Sequence, residues 1–85
     1  MKKIVEVVNA PKAIGPYSAA IETDNFIFTS GQLGIDPQSG ELVFGGIEEE
    51  THQALRNLSE VLKAAGSELD LVVKTTVFLK DISQF

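Results

Sequence analysis

FIFTSGQLGIDPQSGELV, residues Phe26 to Val43, is the stretch on which the reading of this chain turns. Phe26, Ile27, Phe28 and Thr29 are aromatic or β-branched, types that fit a pleated, half-buried surface, so a strand is predicted there. The run stops at Ser30-Gly31, a hydroxyl beside bare backbone; without a Cβ, glycine lets a second group come close to the main chain. Asp36-Pro37-Gln38-Ser39-Gly40 reads as a turn. Pro37 pre-sets φ, Asp36 can bond the backbone ahead of it and Gly40 accepts positive φ. The stretch therefore predicts a strand, a ledge of small residues and a turn: a place to bind something, with no chemistry yet assigned.

Upstream, Asp24-Asn25 lies between the apolar runs ending at Ile21 and starting at Phe26, and both residues tolerate left-handed backbone. A β-hairpin from Tyr17 to Ser30 follows, with Tyr17 to Thr23 as its first strand. Hairpin pairing alone then sets Tyr17 and Ser30 at the same open end. Asn9 to Pro16 is a loop, because Pro11, Gly15 and Pro16 are breakers and a residue before proline is pushed away from helix. Ile4 to Val8, interrupted by Glu6, predicts a short strand at a sheet edge.

Downstream, Gly45-Gly46 releases the chain into a helix predicted over Ile47 to Ala65. Ile47, Thr51, Ala54, Leu55, Leu58, Val61, Leu62 and Ala65 recur at helical spacing as one mostly apolar stripe. Glu48, Glu49 and Glu50 crowd the first turn, where the helix dipole favours negative charge, and Gly66 is a stop signal. His52, Gln53, Arg56, Ser59, Glu60 and Lys63 fall on the opposite, solvated face, with Arg56 and Glu60 spaced to pair. Leu71 to Leu79 is apolar on both sides and predicts a central strand covered on both faces. Lys80 to Phe85 reads as the start of a second helix, with Asp81 or Ser83 as its cap. One helix covers only one face of such a strand. The expectation is that the chain is incomplete at its C-terminus or that other chains supply the missing cover.

Composition narrows the function classes. The 85 residues suffice for one small domain, and 44% hydrophobic with 22% charged residues is ordinary for a folded protein. The net charge is −5, and the seven basic residues are scattered from Lys2 to Lys80. A protein that neutralises phosphates shows the opposite balance, so nucleic acid is not an expected partner. Without cysteine there is no disulfide, thiolate nucleophile or cysteine-based metal site, which suits a cytoplasmic protein. Glu6 and Asn9 break the apolar run a signal peptide needs, and no stretch approaches a membrane span.

Among residues that carry chemistry, His52 is the sole histidine and lies on the polar helix face. Ser30 therefore has no base for a Ser–His–Asp arrangement, and TSGQ is not a nucleophile elbow. Gly31-Gln32-Leu33-Gly34 lacks the third glycine and the helix of a dinucleotide site. A phosphate at Gly45-Gly46 would meet three glutamates. Tyr17, Ser30 and Gly31 remain as the one candidate cluster, although strand ends also carry such residues for turn reasons.

Four blocks in order carry a family resemblance: AIGPYSAAI, FTSGQLGIDPQSGEL, EEETHQALRNLSEVLKAAG and VVKTTVFLKD. From about Lys12 to Phe85 the chain resembles the reactive-intermediate deaminases, the RidA/YjgF family. The resemblance implies an α/β (α+β) domain over residues 1–85 with a chorismate-mutase-like mixed sheet backed by helices, truncated at the C-terminus and forming homotrimers. It implies cofactor-independent hydrolysis of 2-imino or enamine acids to 2-keto acids and ammonia, with no metal. Tyr17 and Ser30 are the implied catalytic residues and Gly31 the implied substrate-binding one, in a cleft between subunits. An arginine for the substrate carboxylate and a glutamate acting through water are implied from a C-terminal part that lies past Phe85, so the 85-residue chain is expected to be inactive. Two alternatives stand beside this: a non-catalytic small-molecule binder or structural trimer, and an endoribonuclease-type relative.

Overall fold

The computed structural model describes residues 2–85. Three short strands, β1 (Lys3–Val5), β2 (Ala20–Glu22) and β3 (Ile27–Thr29), form an antiparallel sheet in the order β1-β2-β3. One long helix, α1 (Ile47–Ala64), is followed by two single 3-10 turns, Leu69–Leu71 and Ile82–Gln84. The predicted hairpin is present. Thr23 N–H donates to Phe26 O at 2.8 Å across Asp24-Asn25, and Ala20 pairs with Thr29, Ile21 with Phe28, Glu22 with Ile27. Its strands are shorter than expected: Tyr17 to Ala19 and Phe26 lie outside the ladder. β1 keeps its predicted edge position but spans Lys3 to Val5 instead of Ile4 to Val8, because β2 offers only three residues to pair with.

Register sorts the side chains. Val5, Ala20 and Ile27 share the face that packs on the helix, where Val5, Ala10, Ala20 and Val61 form the buried cluster and Val7, Ile27 and Ala65 lean on it. Ile4, Ile21 and Phe28 line up across all three strands on the other face, and Ile4 and Phe28 are about 60% exposed. Phe26 extends this row, its ring centroid 6.2 Å from that of Phe28.

The helix ends as expected. Ser67 N–H reaches Leu62 O at 2.8 Å and Gly66 N–H reaches Lys63 O at 2.9 Å, the paired bonds of a Schellman motif. That motif needs a left-handed residue, supplied by Gly66 at φ 82°. The buried stripe, however, is turned by about one residue from the apolar one. Asn57, Val61 and Leu62 are buried and Gln53 is half-buried, whereas Thr51 and Leu55 are exposed. Arg56 donates to Gln53 Oε1 at 3.3 Å instead of pairing with Glu60, which lies 3.8 Å from Lys63.

The strand expected at Leu71 to Leu79 is not formed. Leu69–Leu71 tightens into a 3-10 turn, and Val72 to Leu79 joins no ladder, with Val73 and Phe78 almost fully exposed. Its apolar, β-branched composition reports suitability for a sheet surface, and a strand exists only once neighbouring backbone is hydrogen-bonded to it. Among the described residues the sheet is antiparallel throughout.

Beyond it Asp81 does act as a cap, for one 3-10 turn in place of a helix. Its Oδ1 accepts from Ser83 Oγ at 2.7 Å and Ser83 N at 3.0 Å. The Ser83 hydroxyl first, and then the Ser83 N–H, hold the Asp81 carboxyl below its ordinary value. A depressed carboxylate stabilises its turn above the unfolded-state pKa and loses that contribution as pH falls through the folded one. The Ser83 amide resonance is therefore expected to move toward its random-coil position on acidification through this range, and Asp81→Asn to abolish the titration.

Candidate functional site

The open end of the hairpin, the loop before it and the turn after it enclose a cleft of about 640 Å³. Tyr17, Ser30 and Gly31 all line it, so the structure brings together the three residues singled out from the sequence. Ser30 N–H and Ser30 Oγ–H both donate to Ala19 O, at 2.9 and 3.1 Å, which carries the hairpin pairing one step past the ladder. With its proton committed to that carbonyl, the hydroxyl faces other groups as an acceptor. Tyr17 is fixed by its own N–H to Gly15 O at 2.9 Å, and its phenol oxygen accepts from Ile14 N–H at 3.4 Å. Its O–H is left to donate. Gly31 is exposed, its N–H has no partner among the described residues, and a Cβ there would meet nothing within 4 Å. The cleft therefore offers two donors and one acceptor on an apolar surround that includes Ile14, Leu33 and Ile35.

The floor of this cleft is fastened to α1 by residues the sequence reading passed over. Asn57 Nδ2 donates to Leu33 O at 2.9 Å and to Ile35 O at 2.8 Å, and Asn57 Oδ1 accepts from Gln53 Nε2 at 2.9 Å. At Gly34 the backbone is closely approached within the chain itself: an added Cβ would sit 2.6 Å from Glu50 Cα. Past the floor, Val43 N–H bonds Gly34 O and Asp36 N–H bonds Glu41 O, each at 2.9 Å, and Ile35 bridges to Leu42. The predicted turn closes the loop: Asp36 Oδ1 accepts Gln38 N–H at 2.7 Å, and Gly40, at φ 75°, donates to Asp36 O. An asparagine inside a helix with a glutamine four residues before it was the available signal for this fastening, since residues at that spacing meet on one face. His52 and Arg56 are exposed on the helix and neither lines the cleft.

The chain is similar to known proteins in sequence and in fold. The family model described as endoribonuclease L-PSP matches residues 7–85. Over all 85 residues the chain is 54% identical to the 2-iminobutanoate/2-iminopropanoate deaminase of Mus musculus and 53% identical to that of Homo sapiens. It spans 63% and 62% of their lengths. The crystal structure of the Rid-family protein YyfA from Yersinia pestis superposes with a TM-score of 0.93 at 45% identity, covering 99% of this chain and 67% of that one. The YjgF gene product of E. coli gives 0.90 at 39% identity, covering 96% and 64%. No helix among the described residues is long and apolar enough to cross a membrane. The hairpin and the ledge that line the cleft, and the helix to which its floor is fastened, all fall inside the matched span, and the chain belongs to the endoribonuclease L-PSP family, the RidA/YjgF group with its chorismate-mutase-like fold.

Proposed function

We propose that this chain supplies Tyr17, Ser30 and Gly31 to the site of a cofactor-independent hydrolase that converts 2-imino acids to 2-keto acids and ammonia. The relatives named as 2-iminobutanoate/2-iminopropanoate deaminases support the substrate class. The observation that carries the reading is the donor–acceptor set of the cleft. An imine carbon is already electrophilic, so a site has only to hold the carboxylate, assist protonation at nitrogen and aim a water. In this reading the Gly31 N–H holds the carboxylate, the Tyr17 O–H donates a hydrogen bond toward nitrogen, and Ser30 Oγ accepts a hydrogen bond from the attacking water and so orients it. Water adds to carbon, the C–N bond of the resulting carbinolamine breaks, and ammonia leaves as the carbonyl forms. Neither a metal nor a nucleic acid enters this scheme, and the cysteine-free chain fits a cytoplasmic setting.

Arg56, the one arginine in the chain, donates to Gln53 away from the cleft. The resemblance implies a carboxylate-binding arginine and a water-directing glutamate, and we assign neither role to a residue of this chain. The 85-residue chain is accordingly expected to hydrolyse fresh 2-iminopropanoate at least about 100-fold more slowly than the same chain joined to the C-terminal segment of the mouse relative. Equal ammonia release by the two would place the chemistry elsewhere. An extended chain no faster than the uncatalysed reaction would refute the deaminase reading and leave the non-catalytic binder. Retention of RNA at physiological salt would instead favour the endoribonuclease alternative, against which the net charge of −5 argues.

A homotrimer is part of the proposal. Ile4, Ile21 and Phe28 form an uncovered apolar row on the sheet face away from α1, and a core this small gains from burying it. Light scattering of the extended chain should give three times the monomer mass. Phe28→Asp should return the monomer mass with an unchanged helical circular dichroism signal. A monomeric parent at micromolar concentration would contradict the assembly.

A further inference from the structure

We infer that Asn57 is a positioning residue for substrate binding: it sets the height of the cleft floor through the carbonyls of Leu33 and Ile35. The inference rests on the deaminase reading above. Asn57 is 1% exposed, and every polar atom of its amide is engaged. Both N–H bonds of Nδ2 go to one loop, to carbonyls two residues apart, and Oδ1 is held by Gln53. Leu33 and Ile35 both line the cleft, and Leu33 is two residues from Gly31. Gly34, between the two carbonyls, lies directly against the helix backbone at Glu50. The loop is therefore gripped at three consecutive residues, and the grip sits just past the free N–H of Gly31.

Arg56 donates to Gln53, Gln53 to Asn57, and Asn57 to the two carbonyls, so all the donors run in one direction away from a cation. Hydrogen bonds aligned head to tail polarise one another. A bare packing residue would fill the same space without this directionality. Exchanging the Asn57 amide for a carboxylate keeps the shape and replaces two donors by acceptors facing two carbonyl oxygens.

The test uses the chain extended with the mouse C-terminal segment, comparing the parent with Asn57→Asp and with the milder Gln53→Ala. At neutral pH, Asn57→Asp should raise the KM for 2-iminobutanoate and the Kd of the stable keto acid 2-oxobutanoate about tenfold. kcat per folded molecule should stay within about threefold, and the carbonyl ¹³C resonances of Leu33 and Ile35 should shift. Gln53→Ala should raise both constants about threefold. A purely structural role would lower the folded fraction and leave KM and Kd where they were. Should Asn57→Asp fail to fold, Gln53→Ala decides alone. Unchanged constants in a folded variant overturn the inference, as do changed constants with unmoved carbonyl resonances. A parent that binds 2-oxobutanoate but releases no ammonia refutes the deaminase reading, and Asn57 is then judged on Kd. A parent that does neither overturns both.

Discussion

Gly34→Ala should destabilise the protein by about 2–3 kcal/mol, through added bulk where two pieces of backbone touch. The new methyl would lie 2.6 Å from Glu50 Cα and 2.7 Å from Glu50 O, main-chain atoms of α1 that no rotamer change can move aside. The loop must lift instead, and lifting it stretches both Asn57 bonds. A buried amide left unpaired costs about 1–3 kcal/mol, so the two effects add in the same direction. Against a net stability of roughly 5–15 kcal/mol for a folded domain, and a buried cluster of Val5, Ala10, Ala20 and Val61, this is a large share. The urea midpoint should fall by about 1 M or more. A shift within the error of the parent would mean that the loop and helix are not held where the structure has them.

The opposite profile is expected three residues earlier. At Gly31 a Cβ meets nothing within 4 Å, so Gly31→Val should leave the urea midpoint nearly unchanged, within about 0.5 kcal/mol of the parent. Its two methyl groups would stand in the cleft beside the N–H assigned to the substrate carboxylate. Displacing a substrate by about 1 Å can cost on the order of 100-fold in rate, and imine hydrolysis by the extended chain should fall by about that factor. Ser30→Ala should lower turnover less, because it removes one hydrogen bond to water while the Gly31 N–H and the Tyr17 O–H still hold the substrate. Gly31→Val working at the parent rate would remove Gly31 from the site. The same residue type thus gives a fold defect at one position and a function defect at the other, and the space around each decides which.

What could be read in advance follows from where each signal is stored. Asp24-Asn25, Asp36 to Gly40 and Gly66 are turns and a cap whose geometry depends on the residues themselves, and all three stand where they were read. That Tyr17 and Ser30 line one cleft follows from hairpin pairing, which sets both at the open end and is a consequence of the first of those turns. Asn57 is different. Apolar periodicity turns the helix so that Thr51 and Leu55 face inward, but Leu33 O and Ile35 O supply partners that make an amide the better buried residue. Those partners are 24 and 22 residues away in sequence, beyond any local pattern. Leu71 to Leu79 fails for a related reason: β-branched residues mark a surface suited to pairing, while the pairing itself depends on distant backbone. Gly31 and Gly34 look alike as letters, and only the course of α1 makes one open and the other tight.

The outward row of Ile4, Ile21 and Phe28 has a consequence for how copies would respond to salt. The 85 residues carry a net charge of −5, so three copies of them meeting there would bring together 3 × (−5) = −15. The row itself holds no charged side chain, and attraction through it comes from apolar surface, which salt does not screen. The repulsion between acidic chains is long-ranged and is screened over about 30 Å at 0.01 M ionic strength but about 10 Å at 0.1 M. Added salt should therefore tighten the assembly, the reverse of an interface built on ion pairs. Sedimentation showing weaker association as salt rises would mean that charge pairs, not this apolar row, join the copies.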